Sequence, residues 1–156
     1  MWNRQKGFSL IELLIVVAII LIIAAIATPN LLRSKMAANE ASAVGSLRAI
    51  NTACINYSTV YGTGYPATLA NLGPGAPATA ATADLIDSVL AAGTKSGYVF
   101  TFTAGAAVGG TINTYTITAV PANIGTTGQR QFFTDQSGVI RVNPSGAATV
   151  ASTPIG

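Results

Sequence analysis

The sequence predicts an α+β fold in which one long N-terminal helix packs on a four-stranded antiparallel sheet. An unbroken apolar run near the N-terminus continues into an apolar stripe at helical spacing, and together they cover residues 8–61. The C-terminal half contains short runs that alternate apolar and polar residues between glycine-containing turns, which is typical of strands. A helix followed by a run of strands favours an α+β arrangement over an alternating one.

The composition favours a protein that packs against copies of itself. Charged residues make up 8% of the 156 residues, against about a quarter in an average soluble domain. The formal net charge is +3, but two of the basic residues, Arg4 and Lys6, lie in the first seven residues. The rest of the chain has six basic and five acidic side chains, so its charges nearly balance. No basic patch remains, so nucleic acid is not an expected partner. A small secreted β-domain is the alternative interpretation of the same composition.

The residue types argue against catalysis. The chain has no histidine, so neither a Ser-His nor a Cys-His pair can operate. We therefore expect a protein that is not an enzyme and that needs no cofactor. The one cysteine, Cys54, cannot form an intrachain disulfide, and its place on the apolar stripe predicts a core residue.

The N-terminal segment has the length and polarity of a membrane span. Residues 1–7 are short, polar and basic, whereas residues 8–27 are almost wholly apolar. Twenty residues of helix span about 30 Å, the thickness of a bilayer core. The charged exception is Glu12, whose carboxylate costs on the order of 3 kcal/mol deep in hydrocarbon and so indicates a function. The alternative is that Glu12 snorkels to the headgroups, four residues from the edge of the span.

These features, in this order, resemble the processing site of type IV pilins and of the related pseudopilins of type II secretion. The basic leader, the Gly7-Phe8 junction, the acid Glu12 and the apolar run all match, and the resemblance covers residues 1–61. It implies that a prepilin peptidase cuts between Gly7 and Phe8 and that the new Phe8 amine is methylated. It also implies that Glu12 pairs with the Phe8 ammonium of a neighbouring subunit in a filament core.

The chain departs from the best-known pilins in two respects. Related pilins often carry a glycine half-way along the apolar run, where this chain has Leu21. Many also close the C-terminal region with a disulfide, which one cysteine excludes here. Some relatives bind calcium near the region of Asp135, but one carboxylate is a weak candidate for a metal site and a turn-stabilising role is the better interpretation.

The resemblance also predicts domains, partners and location. Residues 1–7 form the leader, residues 8–28 the transmembrane and filament-core helix, and residues 29–156 a pilin-like globular domain, from which the apolar half of the helix projects. The long C-terminal part is expected outside the bacterial inner membrane, because long domains translocate largely regardless of charge. The processed chain is then expected to form a homo-oligomeric helical filament at the cell surface, with the help of pilus or secretion assembly machinery.

Two alternatives to a pilus subunit remain open. The first alternative, within the same family, is a pseudopilin whose short filament acts in type II secretion. In a different class, Ala25-Ile26-Ala27 fits a signal-peptidase site, and cleavage after Ala27 releases a soluble binding domain. An apolar run of twenty residues that contains Glu12 is longer and more charged than an ordinary signal peptide.

The remaining elements follow from residue patterns. Pro29 removes one helical hydrogen bond and predicts a kink, after which the helix continues over residues 29–61. A connector at 62–96 contains a short helix capped by Thr82, and strands at 98–103, 111–119, 129–134 and 138–142 build a sheet within 97–142. A tail without periodicity, 143–156, completes the chain. The apolar stripe of the continued helix is expected to pack on the sheet through Ala37, Ala41, Val44, Leu47, Ile50, Cys54, Tyr57 and Tyr61.

Overall fold

The computed structural model describes residues 7–155 and divides the chain into two compact units, with the boundary between Lys35 and Met36. The predicted leader lies outside the described residues except for Gly7. The first secondary-structure element, α1 (Leu10–Tyr61), is the long helix that the sequence predicts. The second unit adds a six-stranded antiparallel sheet, so the predicted α+β class is confirmed.

The segment between α1 and the sheet contains little regular structure. A 3-10 helix spans Leu69–Leu72, and α2 covers Ser88–Ala91. The predicted cap at Thr82 is wrong, because Asp87 is the N-cap and its Oδ1 accepts from the Leu90 N–H at 2.9 Å. The backbone N–H groups just before α2 already donate to a carbonyl in the 3-10 helix. The N–H groups of Leu85 and Ile86 both donate to the Leu72 carbonyl, at 2.9 and 3.0 Å, so these residues cannot extend the helix.

The sheet has six strands, where the sequence predicts four. Its order is β1-β2-β5-β6-β7-β8, and a separate hairpin joins β3 to β4. The strands are β1 (Thr94–Lys95), β2 (Tyr98–Ala104), β3 (Ala107–Val108), β4 (Thr111–Ile112), β5 (Tyr115–Pro121), β6 (Gln131–Asp135), β7 (Arg141–Asn143) and β8 (Thr153–Pro154).

The two unexpected strands lie at the edges of the sheet. Both are two residues long, too short for periodicity to reveal. β8 falls in the segment predicted to be a structureless tail. It pairs with β7 through Val142 and Thr153, and the Ile155 N–H donates to the Ile140 carbonyl at 2.8 Å. The predicted β6–β7 turn is confirmed, with Gly138 at φ +74°.

The core lies between the C-terminal part of α1 and one face of the sheet. Leu47, Ile50 and Cys54 of α1 are fully buried, as the stripe predicts. They form one cluster with the inward side chains of the central strands, Tyr98, Phe100, Tyr115, Ile117, Ala119 and Phe132. The alternation along β5 is regular, since each residue from Tyr115 to Pro121 switches between buried and half-buried.

The predicted stripe is wrong at its N-terminal end. Ala37 and Ala41 are exposed, whereas Glu40 and Ala43 are buried. At this end of α1 the loop between β5 and β6 packs over Glu40. The buried side of the helix is therefore the side that contacts this loop. Ser46, which the helical pattern places away from the stripe, is also buried.

Candidate assembly site

The helix begins within a few residues of the predicted processing junction. The Leu13 N–H donates to the Ser9 carbonyl at 3.2 Å, which makes Ser9 the residue that precedes the first helical turn. The Ser9 N–H in turn donates to Glu12 Oε2 at 2.8 Å. This is the glutamate half of a capping box, because the side chain three residues into the helix satisfies a backbone donor that the helix leaves free. Glu12 therefore has a local partner in the single chain.

Gly7 and Phe8 lie immediately before this cap. Both are exposed, and the Phe8 side chain is 83% accessible. Among residues 7–155, no atom lies within 4 Å of a side-chain carbon added at Gly7. The structure thus places Gly7, Phe8 and Glu12 within about one helical turn of each other at the exposed start of α1.

The helix segment that follows presents an uncovered apolar surface. The large aliphatic side chains between Leu10 and Ile26 are 48–80% exposed, and no residue from Gly7 to Lys35 is buried. The segment is long and apolar enough to cross a membrane. A contiguous apolar surface of this size indicates a lipid environment or contact with other apolar helices.

Pro29 lies inside α1, with α-helix assigned on both sides of it. Because proline has no N–H, the Ala25 carbonyl loses its usual helical donor. The carbonyls on either side of Ala25 receive side-chain donors: Thr28 Oγ1 to Ala24 at 2.7 Å and Asn30 Nδ2 to Ile26 at 3.1 Å. Neither of these two side-chain bonds reaches the Ala25 carbonyl itself. The kink at Pro29 remains a prediction.

A second site, which the sequence did not reveal, joins α1 to the loop between β5 and β6. The Glu40 carboxylate accepts from the N–H groups of Gln129 and Arg130 at 2.9 and 3.1 Å and from Arg130 Nε at 2.7 Å. Next to it, Asn39 Nδ2 donates to the Thr127 carbonyl at 2.8 Å. Burial by itself raises the pKa of Glu40, but these hydrogen bonds and the Arg130 charge outweigh it and hold the pKa below its ordinary value.

We expect the Glu40→Gln variant to be less stable than the wild type by about 2 kcal/mol at neutral pH, because charge-assisted bonds to a buried carboxylate are lost. A lowered pKa in the folded state stabilises the fold above the ordinary glutamate pKa of 4.5, and this contribution is lost as the pH falls through the folded value. The difference between the two proteins should therefore shrink below about pH 4.5. Urea denaturation of the detergent-solubilised chain, followed by near-ultraviolet circular dichroism, measures it. A difference that stays constant with pH would contradict the role of the charge.

A polar network lies inside the core between α1 and the sheet. Asn51 Nδ2 donates to Thr134 Oγ1 at 2.9 Å, and the Tyr115 hydroxyl donates to Asn51 Oδ1 at 3.0 Å. Cys54 lies beside them, and burial raises the pKa of its thiol to about 12, so it is a packed thiol and not a reactive one. Every member is buried, and the network fixes how α1 is placed along the sheet.

The weak metal candidate has a local structural role. Asp135 Oδ1 accepts from the Ser137 N–H at 2.9 Å in the β6–β7 turn, as the turn-stabilising interpretation expects. Among residues 7–155 there is no cluster of three or more histidine, cysteine or acidic side chains able to hold a metal ion.

An exposed apolar helix segment followed by an α+β unit defines a class of proteins, namely those whose apolar segment is suited to burial in lipid or among other apolar helices. Within that class, residues 2–28 match the family described as the prokaryotic N-terminal methylation motif. The predicted resemblance to type IV pilins and their relatives is thereby confirmed for this segment. No solved structure matches the chain.

Two curated relatives carry pilin names. The chain is 50% identical over 50 residues to the type IV major pilin protein PilA of Myxococcus xanthus, which is 32% of this chain and 23% of that protein. It is 58% identical over 38 residues to the type IV wide pilus major component PilA4 of Thermus thermophilus, which is 24% of this chain and 29% of that protein. The chain thus matches about a quarter of the length of each relative.

Proposed function

We propose that this chain is the structural subunit of an extracellular type IV pilus-like filament and acts by assembly, without catalysis. The observation that carries the proposal is the exposed start of α1, where the methylation motif, the Gly7-Phe8 junction and Glu12 precede an uncovered apolar helix. The names of the two curated relatives support the same role.

The assembly step follows from the chemistry of that helix end. Cleavage after Gly7 by a prepilin peptidase frees an ammonium group at Phe8, at the edge of an apolar surface. A neighbouring Glu12 is the nearest group of opposite charge that the apolar segment offers, since no other charged residue lies between Phe8 and Pro29. Two such charges about 4 Å apart attract by roughly 4 kcal/mol at an effective dielectric of 20. The pair then sets the axial register of neighbouring helices.

The same features account for the proposed location. Before assembly the apolar segment is held in the bacterial inner membrane, with the folded unit outside. On assembly it leaves lipid for a bundle of identical helices, so its side chains stay covered throughout. The filament is therefore a homo-oligomer that depends on the inner membrane, the peptidase and assembly machinery.

We expect the mature protein to begin at Phe8 and to carry one methyl group on its amine. Gly7 and Phe8 are exposed, and among residues 7–155 no atom lies within 4 Å of a side-chain carbon added at Gly7, so this part of the chain leaves the junction open to a peptidase. Mass spectrometry of surface-sheared protein measures the N-terminus. A mature chain that begins at Thr28 would instead establish an ordinary secretory signal and reject the filament. Loss of protein secretion, with surface fibres unchanged, in cells lacking the chain would point to a pseudopilin.

A further inference from the structure

The last described residues of the chain form a short strap along one edge of the sheet. We define this C-terminal strap as residues 144–155, which comprise the β7–β8 loop, β8 and Ile155. β8 pairs with β7 through Val142 and Thr153, and the Ile155 N–H donates to the Ile140 carbonyl at 2.8 Å. The strap therefore covers the backbone edge of β7, which without it would be an open sheet edge.

Few interactions fasten the strap to the rest of the fold. β8 is two residues long, both of them exposed, and one of them, Pro154, has no N–H to donate. Within the strap, Ile155 is the residue that packs against the hydrophobic core, and it is only half-buried. Ala148 is buried as well, but it lies outside the core cluster and contributes one methyl group. A segment with so few buried apolar contacts opens locally at a lower free energy than the core strands do.

Next to the strap lies a positive charge that lacks a counter-charge. Arg141 of β7 has Phe133 and Pro154 as its cross-strand neighbours, and neither of these side chains can accept a hydrogen bond. Its Nη1 donates to the Ser152 carbonyl of the strap at 3.1 Å. Its Nε is buried and, over the part of the chain that the structure describes, has no hydrogen-bond partner. None of the ion pairs found among these residues involves Arg141.

Closing the strap is therefore unfavourable for Arg141. A guanidinium group stays charged in proteins, and a buried charged group without partners is less stable than the same group in water. Because Ser152 and Pro154, which flank Arg141, belong to the strap, opening of the strap gives water access to Nε. The bond from Nη1 to the Ser152 carbonyl satisfies one of the five guanidinium N–H donors and opposes opening only in part.

We propose that the C-terminal strap opens and closes on a folded subunit, and that the unpaired charge of Arg141 favours the open state. In that state the core between α1 and strands β2, β5 and β6 stays intact, because none of its buried residues belongs to the strap. The backbone of β7 then becomes the edge of the sheet, with N–H and C=O groups available for pairing with an extended strand. The strap belongs to the single subunit, so its opening does not depend on the proposed filament function.

Hydrogen–deuterium exchange of the full chain in detergent, resolved to single amides, tests the opening without any variant. The reporter is the Ile155 N–H, and the reference is the N–H of Ile117 in the central strand β5. Exchange at Ile155 should be about a hundredfold faster than at Ile117. Low urea concentrations should accelerate exchange at Ile117 and leave Ile155 unchanged, because local opening exposes little surface. Equal rates with equal urea dependence would mean that the strap opens only when the whole fold unfolds, and would overturn the proposal.

The Arg141→Met variant tests the role of the charge. Methionine is long and apolar, so the closed strap no longer buries an unpaired cation, and the Ile155 amide should exchange about tenfold more slowly than in the wild type. Arg141→Lys keeps a cation and should exchange at the wild-type rate or faster. Faster exchange in Arg141→Met would mean that Arg141 fastens the strap. Equal slowing in Arg141→Lys would remove the charge from the explanation, and either result rejects the proposal.

Arg48→Met, at an exposed position of α1, is the matched control and should leave exchange at Ile155 unchanged. The Ile117 amide reports on the rest of the fold in every variant. Slowing of Ile155 and Ile117 by the same factor in Arg141→Met would reflect global stability and reject a separate opening of the strap. All of these measurements use the unassembled subunit, so their failure leaves the pilus function standing, whereas cells without surface filaments would reject the pilus function and leave the strap untouched.

Discussion

The Glu12→Gln variant should be inserted and processed normally and yet form almost no filaments. Glutamine keeps the shape of the side chain, and its amide oxygen still accepts from the Ser9 N–H, so the start of α1 is preserved. Insertion should survive or improve, since the carboxylate is the costly group in hydrocarbon. Cleavage after Gly7 should also be unaffected, because the junction itself is unchanged.

Assembly should fail because an incoming Phe8 ammonium finds no counter-charge in the apolar bundle. Leaving one member of a buried ion pair without its partner typically costs about 3–5 kcal/mol. The cost recurs with every subunit added, so elongation stops early. Within one chain Glu12 already has the Ser9 N–H as partner, so the proposed assembly step exchanges a local hydrogen bond for an ion pair between subunits.

Filament counts by electron microscopy, at matched amounts of processed subunit, measure this effect. Glu12→Asp is the control, because it keeps the charge on a shorter side chain and should retain part of the assembly. Wild-type filament numbers from Glu12→Gln would assign Glu12 to the membrane interface, as snorkelling predicts, and remove it from the assembly mechanism.

The second large effect is expected in the core. Asn51→Leu should destabilise the fold by about 3–5 kcal/mol, because it leaves the buried Thr134 and Tyr115 hydroxyls without their partner, at about 1–3 kcal/mol for each, and forces a branched side chain into a polar gap. Such a loss is a large part of the 5–15 kcal/mol that typically stabilises a domain.

The matched control for this variant is Asn56→Leu on the same helix. Asn56 is exposed, so its replacement should change the free energy of unfolding by less than about 0.5 kcal/mol. Urea denaturation of both variants in detergent measures the difference. Equal stabilities would mean that the network between α1 and the sheet contributes nothing to the fold.

Local patterns were sufficient for the elements that repeat over many residues. The apolar run and the stripe from Leu47 to Tyr57 identify α1, because a helical repeat of apolar residues can be recognised in a helix of 52 residues. The alternation of Tyr98, Phe100 and Phe102 identifies β2 in the same way. The junction at Gly7-Phe8 and the acid at Glu12 were also evident, since polarity changes there are abrupt and local.

The remaining features depend on which segments meet in space. Glu40 does not belong to the predicted apolar stripe and is nevertheless buried, because the β5–β6 loop folds over it from about ninety residues away. The helix predicted from Thr82 is cut to four residues, because the backbone before it bonds to the 3-10 helix region. The edge strands β1 and β8 exist only through pairing with β2 and β7.

The sequence alone thus determined an apolar N-terminal helix with one acid and an α+β unit after it. Periodicity and polarity report what a residue is next to along the chain. They do not report non-local hydrogen bonds, which decide the partners of Glu40 and the network around Asn51. The tertiary structure decides those contacts, because each joins residues far apart in the sequence, and no local pattern shows which distant segments will meet.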